Sequence, residues 1–269
     1  MKSKVKILSL AYILFFAMLF ISGCFSGLFS DIIYFVAYIL PLFLALRLGS
    51  DDGWFNAEWF SIKKDGLKLS LIALMPTVAI IMGISMLTSF VIKSVTGAAN
   101  GVDIGDSLVF ALFYHAFLPA IFEEMLFRYL PMRLLSGYSK KYCVLLSAMF
   151  FSLIHHNFFS IPYAFVAGVV FMTLNLMCDS IIPGTVIHFL NNVISILLIF
   201  YGTGSIFAPI CIGLVVLLGV ISIAFVFPKR KEYFSMIKSV FWGGERIYYC
   251  AEMWVFIAIC LIVSVVNLF

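Results

Sequence analysis

Nine stretches of this chain run with few or no charged residues, at residues 7–28, 31–48, 69–92, 110–135, 142–158, 161–178, 181–201, 205–227 and 248–268. Each is close to the ~20 apolar residues that an α-helix needs to cross the hydrocarbon core of a bilayer. Charged residues make up 11% of the 269-residue chain, against about 25% in soluble domains. That balance excludes a soluble enzyme, a disordered protein and a disulfide-stapled secreted domain, and it leaves no room for a second, water-soluble unit. The expected fold is all-α: a polytopic transmembrane helix bundle of about eight to nine spans, forming one membrane-embedded domain over residues 1–269. The fifth and sixth stretches are short, so a tilted or partly re-entrant path is expected there.

The basic residues orient the spans. Lys2, Lys4 and Lys6 precede the first; Arg47, Lys63, Lys64 and Lys68 lie at or between the second and third. Arg133, Lys140 and Lys141 flank the fourth and fifth, and Lys229, Arg230, Lys231, Lys238 and Arg246 lie between the eighth and ninth. With alternating spans these 15 of the 17 basic residues share one side, leaving Lys93 opposite and Arg128 within a span. By the positive-inside rule the N-terminus is cytoplasmic and the C-terminus outside. The net charge of +4 therefore reflects topology, and no nucleic-acid partner is implied. The run ending Ile21-Ser22-Gly23-Cys24 looks like a loose lipoprotein cleavage site, but another span follows almost at once, so the first helix reads as uncleaved. The six cysteines show no C-x-x-C spacing and behave as small apolar residues in or beside spans. Trp54, Phe55, Trp59, Phe60 and Ile62 recur at helical spacing beside Lys63 and Lys64, as in an interfacial helix.

Against this background, polar groups inside spans stand out, because a charge at mid-bilayer costs about 2.5–3.5 kcal/mol on insertion scales. The fourth span holds Glu123, Glu124 and Arg128, and all four histidines, His115, His155, His156 and His188, fall within spans. Glu124 and Arg128 are four residues apart and can pair on one face, while Glu123 is rotated by about 100°. His188 and Asn192 are again four apart. On helical rise, Glu123 lies about 18 Å from the cytoplasmic end of its span, His155 roughly 20 Å from the start of the fifth, and His188 about 14 Å beyond Asp179. Three helices thus bring polar groups to a similar depth. One carboxylate would satisfy Arg128, and the surplus one points to function. Adjacent carboxylates in a low-dielectric site resist double ionisation, so Arg128 holds Glu124 charged while Glu123 exchanges a proton. A carboxylate and an imidazole sharing a water can act as a general base, and an imidazole and an amide can hydrogen-bond an oxyanion. His115, His156, Asn175 and Asn191 read as structural.

The residues Glu123-Glu124-x-x-x-Arg128, Phe151-x-x-x-His155 and His188-x-x-x-Asn192 resemble, in order and spacing, the three motifs of the CPBP (Abi, CAAX prenyl endopeptidase type II-like) intramembrane proteases. The resemblance implies an intramembrane endopeptidase in which Glu123 and His155 activate a water, His188 and Asn192 form the oxyanion site, and Glu124 and Arg128 are an orienting pair. It implies a protease core at about residues 69–201, with extra spans at 7–48 and 205–268. The substrate would be a membrane-associated peptide or protein within the lipid bilayer: a prenylated C-terminal motif, as for eukaryotic members, or a target of bacterial peptide maturation or bacteriocin self-immunity. Family members have been described as metalloproteases and as glutamate-dependent enzymes. With no H-E-x-x-H in the chain, no cofactor is the first reading, although zinc or another divalent ion is compatible with the Glu and His present. The Phe-, Ile- and Lys-rich composition leans towards a bacterial plasma membrane. Two readings compete. A proton-coupled transporter would use the same residues as a relay and show inverted repeats with broken helices, and no such symmetry is visible. A non-catalytic immunity or scaffold protein would keep its effect in Glu123→Gln. Other protease classes fit poorly: there is no G-x-S-G, and Gly105-Asp106 lacks the Gly-x that would make a G-x-G-D site.

Overall fold

In the computed structural model, which describes residues 2–50, 56–61, 64–97, 107–201, 206–242 and 250–267, each of the nine apolar stretches carries a helix. These are α1 (Lys2–Gly23), α2 (Leu28–Gly49), α3 (Lys64–Thr96), α4 (Leu108–Leu134), α5 (Lys140–Leu153), α6 (Ile161–Cys178), α7 (Ile182–Phe200), α8 (Phe207–Val226) and α10 (Ala251–Val266). A further helix, α9 (Arg230–Phe241), follows α8 through a single 3-10 turn. Among the described residues, seven helical runs are long and apolar enough to cross a membrane. The protein is a multi-pass helical membrane bundle.

Two of the nine expected crossings are shorter than a full span. Helix α5 has 14 residues and α10 has 16. The expected 142–158 crossing ends early for a local reason. The Asn157 side chain accepts the Phe159 N–H at 2.8 Å, and Pro162 starts the next helix, so the backbone turns over Ile154–Ser160. His155 therefore sits on a turn instead of within a helix. The expected interfacial helix at 54–62 is also replaced. Trp54, Phe55, Ile62 and Lys63 lie outside the described residues, as do Gly105, Asp106 and Arg246, and Ala57–Phe60 forms one 3-10 turn docked on the bundle. There the Tyr129 hydroxyl accepts the Asn56 N–H at 2.9 Å, the Trp59 carbonyl accepts the Ile181 N–H at 2.8 Å, and Phe60 packs on Tyr129. Helix α9 lies against α5 and α6 with Val240 buried.

The central packing is aromatic. The Tyr12 ring stacks on Phe127 at 5.0 Å and meets Phe150 at 4.6 Å, and Phe150 meets Phe256 at 5.2 Å, which joins α1, α4, α5 and α10. Helices α5 and α6 approach closely at Gly168, where an added Cβ would lie 2.8 Å from the Ala148 backbone. Small residues at a crossing let two backbones come together in a membrane.

Helix α4 is interrupted by two π turns, Phe113–Phe117 and Met125–Tyr129, each followed within two residues by a proline. A proline has no N–H, and its ring crowds the carbonyl four residues earlier. At the second turn, Leu130 N–H reaches back five residues to the Met125 carbonyl. Leu126 O loses the Leu130 N–H that a regular helix would have supplied, and Phe127 O faces Pro131, which has none to give. Side chains from other helices fill both places: the Tyr12 hydroxyl of α1 donates to Leu126 O at 3.2 Å, and the Ser147 hydroxyl of α5 donates to Phe127 O. The π turn is thus held from outside its own helix. Ser147→Ala, which leaves the buried Phe127 carbonyl without its donor, should lower stability by about 1–3 kcal/mol. The readout is the unfolding midpoint of the detergent-solubilised protein; an unchanged midpoint would contradict this account.

Candidate active site

The second π turn begins immediately after Glu123 and Glu124, which lie at the end of the preceding α-helical segment of α4. Glu124 and Arg128 are fully buried, and Arg128 Nε lies 3.4 Å from Glu124 Oε1. No nitrogen of this guanidinium makes a well-directed hydrogen bond. Instead its Cζ lies over the Phe151 ring, 4.0 Å from the centroid, and 5.6 Å from the centroid of the Phe171 ring. A delocalised, weakly hydrated cation suits such an aromatic slot.

His188 of α7 stands between the two carboxylates. Its Nδ1 is 3.1 Å from Glu124 Oε1, and its Nε2 is 3.7 Å from Glu123 Oε2. Phe171 stacks on the imidazole at 5.1 Å and Phe151 meets it edge-on at 5.7 Å, which holds the ring in place. A carboxylate can only accept, so Nδ1 carries a proton. The other nitrogen donates a hydrogen bond only when the ring is doubly protonated.

His155 Nδ1 is 3.0 Å from the Phe151 carbonyl. That oxygen only accepts, so Nδ1 is the protonated nitrogen and the neutral ring keeps its lone pair on Nε2. Phe151 thus serves three polar residues: its carbonyl orients His155 while its ring packs on Arg128 and His188. No hydrogen bond or ion pair joins Glu123 directly to His155. Asn192 lies half-buried one helical turn beyond His188, with its Oδ1 accepting from Asn191 Nδ2 at 3.4 Å. Of the six residues expected in the site, Glu123, Glu124, Arg128 and His188 form one contact network, with His155 and Asn192 beside it.

Asn175, read from sequence as structural, belongs to this network. It is fully buried on α6, donates from Nδ2 to Glu124 Oε2 at 3.3 Å, and accepts the Gly184 N–H on Oδ1 at 2.6 Å. An added Cβ at Gly184 would sit 2.6 Å from the Asn175 amide, so only glycine permits this approach. Helix α6 ends in a left-handed residue, Asp179 (φ 45°), and Pro183 lies in the first turn of α7. The resulting tight hairpin sets Asn175 against Gly184, one turn before His188. Tyr38 of α2 is a second residue that the motifs do not mark; its hydroxyl donates to Glu123 Oε1 at 3.5 Å. The other two histidines lie apart: His115 is exposed in the first π turn, and His156 packs against Phe16.

Among the described residues, no group of three or more His, Cys, Asp or Glu side chains is arranged to hold a metal ion. Glu124 is already engaged by Arg128, His188 and Asn175, and His155 Nδ1 by a carbonyl. The donors that remain, Glu123 Oε2 and the Nε2 atoms of His155 and His188, are of kinds that zinc accepts.

A multi-pass membrane bundle built around a buried Glu-Glu-Arg-His centre is the class that fold and site define. Residues 105–194, the segment carrying all three motifs, match the family model described as Type II CAAX prenyl endopeptidase Rce1-like, which supports the CPBP family. No curated protein and no solved structure matches the chain significantly. Asn175→Ala, by unpairing both Glu124 Oε2 and the Gly184 N–H, should cost about 1–3 kcal/mol for each buried group left without a partner. Chemical unfolding in detergent measures this, and a loss under 0.5 kcal/mol would show that the Asn175 bridge is not what holds Glu124.

Proposed function

We propose that this chain is an intramembrane endopeptidase that hydrolyses a peptide bond in a membrane-associated peptide or protein. The observation that carries the reading is the placement of His188 between Glu123 and Glu124, deep among apolar helices, with Arg128 against the inner carboxylate. A structural ion pair would need only Glu124. Glu123 is the surplus charge, and its Oε2 faces an imidazole nitrogen, as a group that exchanges protons during turnover should.

In the proposed reaction, Glu123 removes a proton from a water held between it and Nε2 of His155. The water oxygen bonds to the scissile carbonyl carbon, and the carbonyl oxygen becomes an oxyanion. His188, doubly protonated beside Glu124, and the amide of Asn192 donate to that oxyanion. The C–N bond then breaks, and the proton held by Glu123 passes to the departing amine. No covalent intermediate forms on the enzyme. Glu124, Arg128 and Asn175 position His188 throughout.

The family description makes a prenylated C-terminal C-a-a-X peptide the first substrate to test, and bacterial peptide maturation or self-immunity gives the wider class. We place the protein in a plasma membrane, with the residue 69–201 segment as the core of the unit. In purified protein reconstituted in lipid, Glu123→Gln should lower turnover of a farnesylated, internally quenched C-a-a-X peptide by about 10²-fold or more. Cleavage at the wild-type rate would remove Glu123 from the mechanism. Turnover should survive exhaustive chelation, and a loss that added zinc restores would replace the glutamate mechanism with a metal-dependent one.

A further inference from the structure

The three motifs lie on α4, on α5 with its following turn, and on α7, but the carboxylate that should do the chemistry is also held from α2, outside the 105–194 segment. Tyr38 is 4% exposed, and its ring is fixed by Phe15 at 4.7 Å and Phe122 at 5.8 Å. Its hydroxyl donates to Glu123 Oε1. The Tyr34 hydroxyl, one turn earlier on α2, lies 3.3 Å from that of Tyr38. Since the Tyr38 proton is directed at Glu123, Tyr34 is the donor of that pair. The order Tyr34 to Tyr38 to Glu123 is a chain of hydrogen bonds in which each donation strengthens the next. A second tie fixes the same two helices: the Tyr114 hydroxyl of α4 donates to Asp31 Oδ1 of α2 at 2.8 Å.

A general base needs one oxygen free and correctly aimed. With Oε1 engaged by Tyr38, Oε2 is the oxygen left facing His188 Nε2 and the space in front of it. We propose that Tyr38 is a positioning residue of the hydrolytic site: its hydroxyl holds Oε1 of Glu123, so that Oε2 takes the proton from water, and helix α2 is therefore part of the catalytic unit. The inference rests on the peptidase reading above. It assigns to an N-terminal helix a function beyond membrane anchoring, and it means that a segment reduced to residues 69–201 has an incomplete site.

Tyr38→Phe keeps the ring and its packing and removes one hydroxyl, so it separates positioning from folding. In full-length protein reconstituted in lipid, with the farnesylated quenched peptide as probe, kcat should fall about 10- to 100-fold, the range expected for losing a hydrogen bond to a charged group. KM should stay unchanged. Tyr34→Phe should lower kcat less, because it removes a donor one step away. A readout independent of turnover accompanies this. The infrared carboxylate band that disappears in Glu123→Gln should shift in Tyr38→Phe. A wild-type kcat or an unmoved band in Tyr38→Phe overturns the proposal while the peptidase reading stands. If the wild type cleaves no faster than Glu123→Gln, the peptidase reading fails, and the catalytic role of Tyr38 fails with it.

Discussion

The carboxylate of Glu124 is the interaction on which the site depends. A buried guanidinium inside a bundle in lipid has no water to turn to, and removing the partner of such a buried charge costs several kcal/mol. Glu124 meets that need at one oxygen, and the same oxygen takes the Nδ1 proton of His188. Its other oxygen takes the amide of Asn175. One side chain on α4 thus fixes residues on α6 and α7, and through Asn175 it fixes the approach of α6 to the start of α7 at Gly184. With Glu124 occupied on every side, Glu123 is left with a neighbour at each oxygen and room to change its protonation.

A second constraint follows from Pro131. A regular helix through residues 125–131 would leave the Phe127 carbonyl without a donor, because Pro131 has no N–H to offer, and the wider turn leaves the Leu126 carbonyl without one as well. Hydroxyls from Tyr12 and Ser147 supply the two missing donors. The segment just past the two glutamates is therefore clamped between α1 and α5. π turns recur at functional sites, and here the carbonyls that the distortion leaves open are satisfied by neighbouring helices. Together with the Tyr38 contact to Glu123, this ties the N-terminal hairpin of α1 and α2 to the part of α4 that carries the two glutamates.

The fold was legible because apolar run length reports spans directly, and all nine runs carry helices. What run length misses is where a helix stops. The Asn157 turn and Pro162 end α5 before His155, and a hydropathy pattern does not register an Asx turn in an apolar setting. The motif residues were legible because charge inside a span is costly and the spacing of four places partners together, as the Glu124–Arg128 pair shows. Asn175 was read as structural because its meaning lies in a contact 51 positions away. Tyr38 carried no charge to flag it, and its significance lies in an α2–α4 contact that spans 85 positions. Nothing in spacing reveals either one.

The central claim is that this buried centre cuts peptide bonds in the membrane. Its most direct test compares the C-terminal ends of membrane-associated peptides and proteins in cells making the wild-type chain or Glu123→Gln, at matched levels of folded protein. The account predicts one or a few new C-termini that are present with the wild type and absent with the variant. Identical sets of C-termini would contradict it.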